Sequence, residues 1–202
     1  MVKKSPRLNG NYINEYLEGV VSVVFRLSRE DIEKTVKHLI QVKKRKGRLF
    51  LLGVGGSAAN CSHAVNDFRK ICGIEAYTPI DNVSELTART NDEGWDSVFV
   101  GWLAESHITQ KDAVMIFSVG GGNLKKNISA NIVKALEYAK DAGSTILGIV
   151  SRDGGHTKKV ADACVLIPVI SSHTITPYAE TFQAVVWHLL VFHPLLRDIE
   201  PY

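Results

Sequence analysis

The sequence predicts an α/β protein, a three-layer α-β-α sandwich whose parallel sheet is covered on both faces and is preceded by N-terminal helices. Three observations carry this. Short, wholly apolar runs alternate with amphipathic stretches along the chain. The runs lack the polar–apolar alternation of a half-exposed strand, so each strand is expected to be buried on both faces. Glycine, serine and aspartate collect where the runs end, and ligands of open α/β sheets bind at that carboxyl edge.

Composition sets the frame. With 202 residues, 45% hydrophobic and 22% charged, the chain suits one domain with a full core. A net charge of +3 gives no argument for nucleic acid or a membrane surface as partner. Cys61, Cys72 and Cys164 are odd in number, show no CxxC spacing, and read as reduced core residues of a cytoplasmic protein. No apolar run reaches membrane-spanning length, and Met1-Val-Lys-Lys-Ser5 has no apolar leader core.

In chain order, residues 12–27 carry a helical stripe at Ile13, Leu17, Val20, Val24 and Leu27. Val21, Val23 and Phe25 make that helix apolar on more than one side, which suggests a subunit interface. Ser28 and Asp31 mark the N-cap and first-turn acid of a second helix through Ile32, Val36, Leu39 and Ile40. It ends in Lys43-Lys-Arg-Lys46 and Gly47. This basic run resembles a nucleic-acid patch, but cations at a helix C-terminus and a terminating glycine explain it more simply. Residues 1–47 are therefore read as N-terminal helices at an oligomer interface and 48–202 as the sheet-bearing domain, the two making one compact unit.

A strand over 49–53 runs into Gly53-Val-Gly-Gly-Ser57 and a helix over 58–72. A second strand is expected over 74–80, ending at Pro79 and Asp81, then short helices over 83–90 and 94–105. Residues 112–119 form the clearest buried strand and lead into Gly120-Gly-Gly-Asn123. An amphipathic helix over 128–141 closes at Gly143. Strands over 144–150 and 164–170 follow, and a last helix spans about 177–196.

The first glycine turn admits several readings. It is an ordinary strand-to-helix turn, a dinucleotide fingerprint in Gly53-x-Gly55-x-x-Ala58 with Glu75 downstream, or an anion site at a helix N-terminus. Its strand is not the first element, and little chain remains for a dinucleotide enzyme's substrate. Two glycine-rich turns after inner strands point to an anion. Along the following helix Asn60, His63 and Asp67 share a face, His63 and Asp67 one turn apart. Such a pair is a surface ion pair, half of a metal site, or an acid/base pair. On the last helix Glu180, Gln183 and His188 form the polar side and Phe182, Val185, Val186 and Leu189 the apolar side. His38, His107, His156, His173 and His193 show no comparable constellation, and the three tryptophans read as packing.

In order along the chain stand Gly53-x-Gly-Gly-Ser57, Asn91-Asp92-x-Gly94, Ser118 with its glycines, Asp153-Gly-Gly155 and a terminal helix whose polar stripe ends in His188. This set resembles the sugar isomerase (SIS) domain, and within it the phosphoheptose isomerase branch. The resemblance implies a flavodoxin-like sheet of five parallel strands and a homotetramer with active sites shared between subunits. It also implies isomerisation of sedoheptulose 7-phosphate to a heptose 7-phosphate. By position, Gly55, Gly56, Ser57, Ser118 and the loop that follows would bind the sugar phosphate, and Asp92 the sugar hydroxyls. The general base falls at Asp67 and the acid at His188. A zinc set of some members falls on His63, Asp67, Glu180 and His188. A rival implication is a non-catalytic regulator that binds a sugar phosphate or a partner protein such as a replication initiator.

The sequence departs from the family pattern in four places. Val54 stands for an asparagine. The hydroxyl-rich phosphate loop has become Ser118-Val-Gly-Gly-Gly-Asn123, with extra residues before Ser129, so backbone N–H groups of Gly120, Gly121 and Gly122 are expected to form an anion nest. Asp67 replaces a glutamate, withdrawing its carboxylate by about 1.5 Å. Glu180 adds a charge where the family has an amide, which suggests that it shares or takes over the base role of Asp67.

Overall fold

The computed structural model describes residues 11–198; the Met1–Ser5 stretch read above lies outside them. The elements are α1 (Tyr12–Arg26), α2 (Arg29–Lys44), β1 (Leu49–Gly53), α3 (Gly56–Cys72), β2 (Ala76–Tyr77), α4 (Val83–Glu93), α5 (Val98–Glu105), β3 (Ala113–Ser118), α6 (Ala130–Asp141), β4 (Thr145–Val150), α7 (Gly155–Val160), β5 (Ala163–Leu166) and α8 (Ile175–Val191). The five strands form one parallel sheet in the order β2-β1-β3-β4-β5. This is the doubly wound arrangement that the apolar runs predict.

Successive side chains of a strand point to opposite faces, and the core divides accordingly. Leu49, Leu51, Met115, Phe117, Leu147, Ile149 and Val165 pack with residues of α2, α3 and α8. Phe50, Leu52, Val114, Ile116, Ile146 and Val150 pack with residues of α5 and α6 on the other face. The central strands β1 and β3 are buried along their whole length. Cys61 and Cys72 are buried in the first of these cores. Burial pushes the Cys72 and Cys164 thiols up to about 12, so neither is a reactive thiolate at neutral pH.

Several expectations change: β5 ends at Leu166 and α8 at Val191, four and five residues short of the expected ends. β2 is only two residues long, because the chain turns into a 3-10 turn at Pro79–Asp81 and proline has no N–H to extend a ladder. α3 starts at Gly56, two residues early, directly after Gly55 at φ +65. A six-residue helix, α7, follows the glycines after β4; it is too short to show a period in the sequence.

α1 is tied to α8 by Tyr178, whose hydroxyl donates to Tyr16 O at 2.7 Å and lies where any side chain at Gly19 would stand. The opposite side of α1 exposes Tyr12, Ile13, Leu17, Val21, Val24 and Phe25.

At the sheet's amino edge the Asp112 carboxylate accepts from the Arg48 and Thr109 N–H groups, both at 2.8 Å, and pairs with the Arg48 guanidinium at 2.9 Å. Burial pushes this carboxyl up, but Arg48 and the two N–H groups outweigh it and hold it below the usual carboxylate range. Its stabilisation is therefore complete above an unfolded carboxylate's pKa of about 3.9 and is lost as pH falls through the lower folded value. We expect Asp112→Asn to cost about 3 kcal/mol in urea unfolding near neutral pH. The gap from the unsubstituted protein should close as pH drops below about 3.9. A gap independent of pH would assign the loss to packing.

Candidate active site at the carboxyl edge of the sheet

The strand order reverses between β1 and β3, so the turns leaving these strands diverge and open a crevice at their carboxyl ends. The crevice is a cleft of about 630 Å³ lined by Ser57, Ser118, Gly120, Gly122, Asn123 and Ser129, together with Val54, Lys126, Ile128, Arg152, Asp153 and Thr176. Six of the expected substrate-binding residues thus come together. Gly55, Gly56 and Gly121 do not line it.

The expected nest of glycine N–H groups takes another form. Gly120 N and Gly121 N donate inward to Ser118 Oγ, at 3.3 and 3.0 Å. The carbonyls of Gly121 and Gly122 accept from Thr157 N and His156 N, both at 2.9 Å, and Gly121 O also accepts from Thr157 Oγ1. A Cβ on Gly121, at φ +70, would stand 2.0 Å from Gly154 O. These glycines therefore let two turns interlock, and their backbone polarity is largely spent between loops.

Positive charge reaches the cleft by another route, which sequence reasoning missed. Arg152 follows β4, and its side chain lies over Gly120, Cδ being 3.6 Å from where a Cβ of that glycine would stand. Lys126 sits in a short loop closed by the Asn123–Ile128 bridge and by Lys126 N donating to Asn123 Oδ1. Neither has an ion-pair partner among the described residues. The available signal was position: Arg152 lies in a strand-ending turn on the ligand edge.

From the cleft α3 runs back along the sheet, packed beside α8. Ser57 Oγ accepts from Gln183 Nε2 at 3.0 Å, and Asn60 Nδ2 donates to Gln183 Oε1 and to Glu180 O, both at 2.9 Å. Gln183 is 0% exposed, while Val185 and Leu189 are each 44% exposed. The expected polar and apolar sides of α8 are corrected here: Gln183 is in phase with Ala179, Val186 and Leu190 and belongs to the buried face.

Further along α3 His63 Nε2, and from α8 His188 Nε2, each stand 3.5 Å from Asp67 Oδ2. Asp67 is 7% exposed, and Trp187 Nε1 donates to the same Oδ2 at 3.1 Å. His188 Nδ1 lies 2.8 Å from Ala184 O; a carbonyl only accepts, so Nδ1 carries the proton and Nε2 presents a lone pair. The ligand atoms of His63, Asp67 and His188 all lie within 4.8 Å of one another. Two imidazoles and a carboxylate at such spacing fit a tetrahedral metal with one open position, and the Ala184 contact is the usual support behind a ligating histidine.

Two expected residues are elsewhere. Glu180 is not in this group: its carboxyl covers Gly56, 2.6 Å from where a Cβ would stand. Asp92, at the end of α4, borders a separate hollow with Glu85, Arg89, Glu93 and Glu105.

The fold and site together define a class, an α/β domain with a cleft at the switch point and a His/Asp/His group on the adjoining helices. Residues 11–151 match the SIS domain. A phosphoheptose isomerase of Helicobacter pylori is 30% identical over 85% of this chain and 84% of its own length. Another from Trichlorobacter lovleyi is 33% identical over 79% of this chain and 78% of its own. The structure of phosphoheptose isomerase from Neisseria gonorrhoeae superposes with a TM-score of 0.78 at 19% identity, covering 90% of this chain and 96% of that one. The chain belongs to the SIS domain family, in its phosphoheptose isomerase branch.

Charge-assisted contacts to an anion are worth about 1.5 kcal/mol or more each, roughly tenfold in affinity. Arg152→Met is expected to weaken binding of inorganic phosphate about tenfold by calorimetry, and Lys126→Met to act in the same direction. Unchanged binding in both would remove them from the anion site.

Proposed function

We propose that the protein is a phosphosugar aldose–ketose isomerase that converts sedoheptulose 7-phosphate to D-glycero-D-manno-heptose 7-phosphate through an enediol. The observation that carries this is two chemistries along one helix: Ser57 of α3 lines the cleft, and His63 and Asp67 of α3 stand with His188. The anion cleft begins at Ser57, and His63 lies six residues on, about 9 Å along α3 at roughly 1.5 Å per residue. In an extended heptose 7-phosphate the second carbon is roughly 9 Å from phosphorus, at about 1.5 Å per bond with the zigzag counted. A phosphate held in the cleft therefore brings the first two carbons to the His/Asp/His group. The relatives' names support the same substrate.

Isomerisation moves a proton between adjacent carbons and needs a base at carbon, an acid at oxygen, and a fixed phosphate end. Arg152, Lys126, Ser57, Ser118, Asn123 and Ser129 bind and orient the phosphate end. Asp67 takes the proton from the first carbon and returns one to the second, while His188, whose Nδ1–H is tied to Ala184, accepts the hydroxyl proton at Nε2 and, so charged, gives it back as the acid at the neighbouring oxygen. Glu180, over Gly56 and one turn from Thr176, is the second carboxylate on the path and holds sugar hydroxyls. His63, Asp67 and His188 would hold zinc, which when bound polarises the substrate oxygens.

The working form is read as a homotetramer in the cytoplasm. The exposed apolar side of α1 suits burial against another copy, and Asp92, remote from its own cleft, would serve a neighbour's. Among the described residues no helix is long and apolar enough to cross a membrane.

Purified protein given sedoheptulose 7-phosphate in D2O should show the aldose by NMR, with one solvent deuteron at the carbon that gains the proton. No turnover with or without added zinc would overturn the assignment. Asp67→Asn should lower turnover by about 100-fold or more, and Glu180→Gln by much less. The reverse ranking would move the base to Glu180.

A further inference from the structure

Trp187 is among the largest fully enclosed side chains of the protein, yet its one polar atom is directed at the site: Nε1–H donates to Asp67 Oδ2 at 3.1 Å. Its ring stacks on Phe117 of β3, with centroids 5.9 Å apart and planes 14° apart. The same ring touches both imidazoles, with centroids 4.8 Å from His188 and 5.3 Å from His63. One indole thus meets every member of the His/Asp/His group and rests on a central strand. We infer that Trp187 is a positioning residue: it fixes the carboxylate of Asp67 and lets this short acid do the work of the family's longer one. The inference rests on the reading of Asp67 as a working residue of the site.

The argument is one of reach. Asp67 falls where the family has glutamate, and its carboxylate is withdrawn by about 1.5 Å. A buried carboxylate set back in this way needs a donor to hold it, since an ionised group without one is costly. Asn66 Nδ2 contacts Oδ1 at 3.2 Å, but Oδ2, the atom turned to both histidines, has the indole N–H as its hydrogen-bond donor. The indole is held in place by Phe117, so the donor's position is set by the sheet itself. A glutamate at 67 would carry its carboxyl into the indole's space. The two residues should therefore work as a matched pair.

Two measurements test this, and the first needs no turnover. Of the three tryptophan indole N–H signals in a nitrogen–proton NMR spectrum, the one lost in Trp187→Phe belongs to Trp187. In Asp67→Ala that signal should move upfield and exchange faster with solvent; a signal left in place overturns the inference even if the protein is an isomerase. The second is a reciprocal exchange read as zinc affinity by competition and as kcat. Trp187→Phe alone and Asp67→Glu alone should each lose about tenfold or more, as supporting groups behind metal ligands do. The double variant Asp67→Glu, Trp187→Phe should recover most of that loss, with KM for the sugar phosphate little changed. Additive losses in the double variant would contradict the pairing. If no variant, nor the parent, binds zinc or turns over substrate, the reading of the site fails while the NMR result still decides the hydrogen bond.

Discussion

Two helices from opposite halves of the chain lie side by side, and what holds them is a buried polar seam. Gln183 on α8 reaches Ser57 on α3 across 126 positions of sequence. Asn60 bonds back to Gln183 and to the Glu180 carbonyl, and Trp187 reaches Asp67. Such a seam tolerates little slippage, because each donor or acceptor that loses its partner in the interior costs about 1–3 kcal/mol. It fixes the axial register of α8 against α3, and with it the meeting of His63, Asp67 and His188. The wall of the cleft at Ser57 and the His/Asp/His group are thus positioned by one contact between helices.

The second constraint is the interlock of turns above β3 and β4. Gly121 and Gly155 pass so close to the opposing backbone that any side chain would collide, and α7 donates its first N–H groups to the glycine loop. The loop's own Gly120 and Gly121 amides turn inward to Ser118 Oγ, which leaves little N–H for an anion. This gives a physical reason for two unpaired cations, Arg152 and Lys126, at the rim of the same cleft. The Ser118 hydroxyl bridges both roles: it lines the cleft while accepting from Gly120 and Gly121.

Much of this was legible in the sequence because burial on both faces leaves a plain mark. β1 and β3 are continuous apolar runs, and Ser57, Ser118, Gly120 and Gly122 beyond their ends belong to the cleft wall. Gln183 was misplaced because a polar residue in the phase of an apolar stripe looks like part of the solvent face. Only the tertiary partners Ser57 and Asn60 show it to be buried. Trp187 read as packing for the converse reason: its bulk is apolar, and its one donor acquires meaning only when Asp67 is beside it. Glu180 and Asp92 are joined to the site by the family resemblance alone; in this chain the Glu180 carboxyl covers Gly56 and Asp92 borders a separate hollow.

The central claim is that a single substrate lies along α3, phosphate in the cleft and reactive carbons at the His/Asp/His group. Its most direct test is the distance between the two ends with substrate bound. Protein loaded with cobalt in place of zinc would relax the phosphorus nucleus of bound sedoheptulose 7-phosphate at a rate that reports metal-to-phosphorus separation. The account predicts a separation on the order of 10 Å, set by the rise along α3. A phosphorus in direct contact with the metal would contradict it.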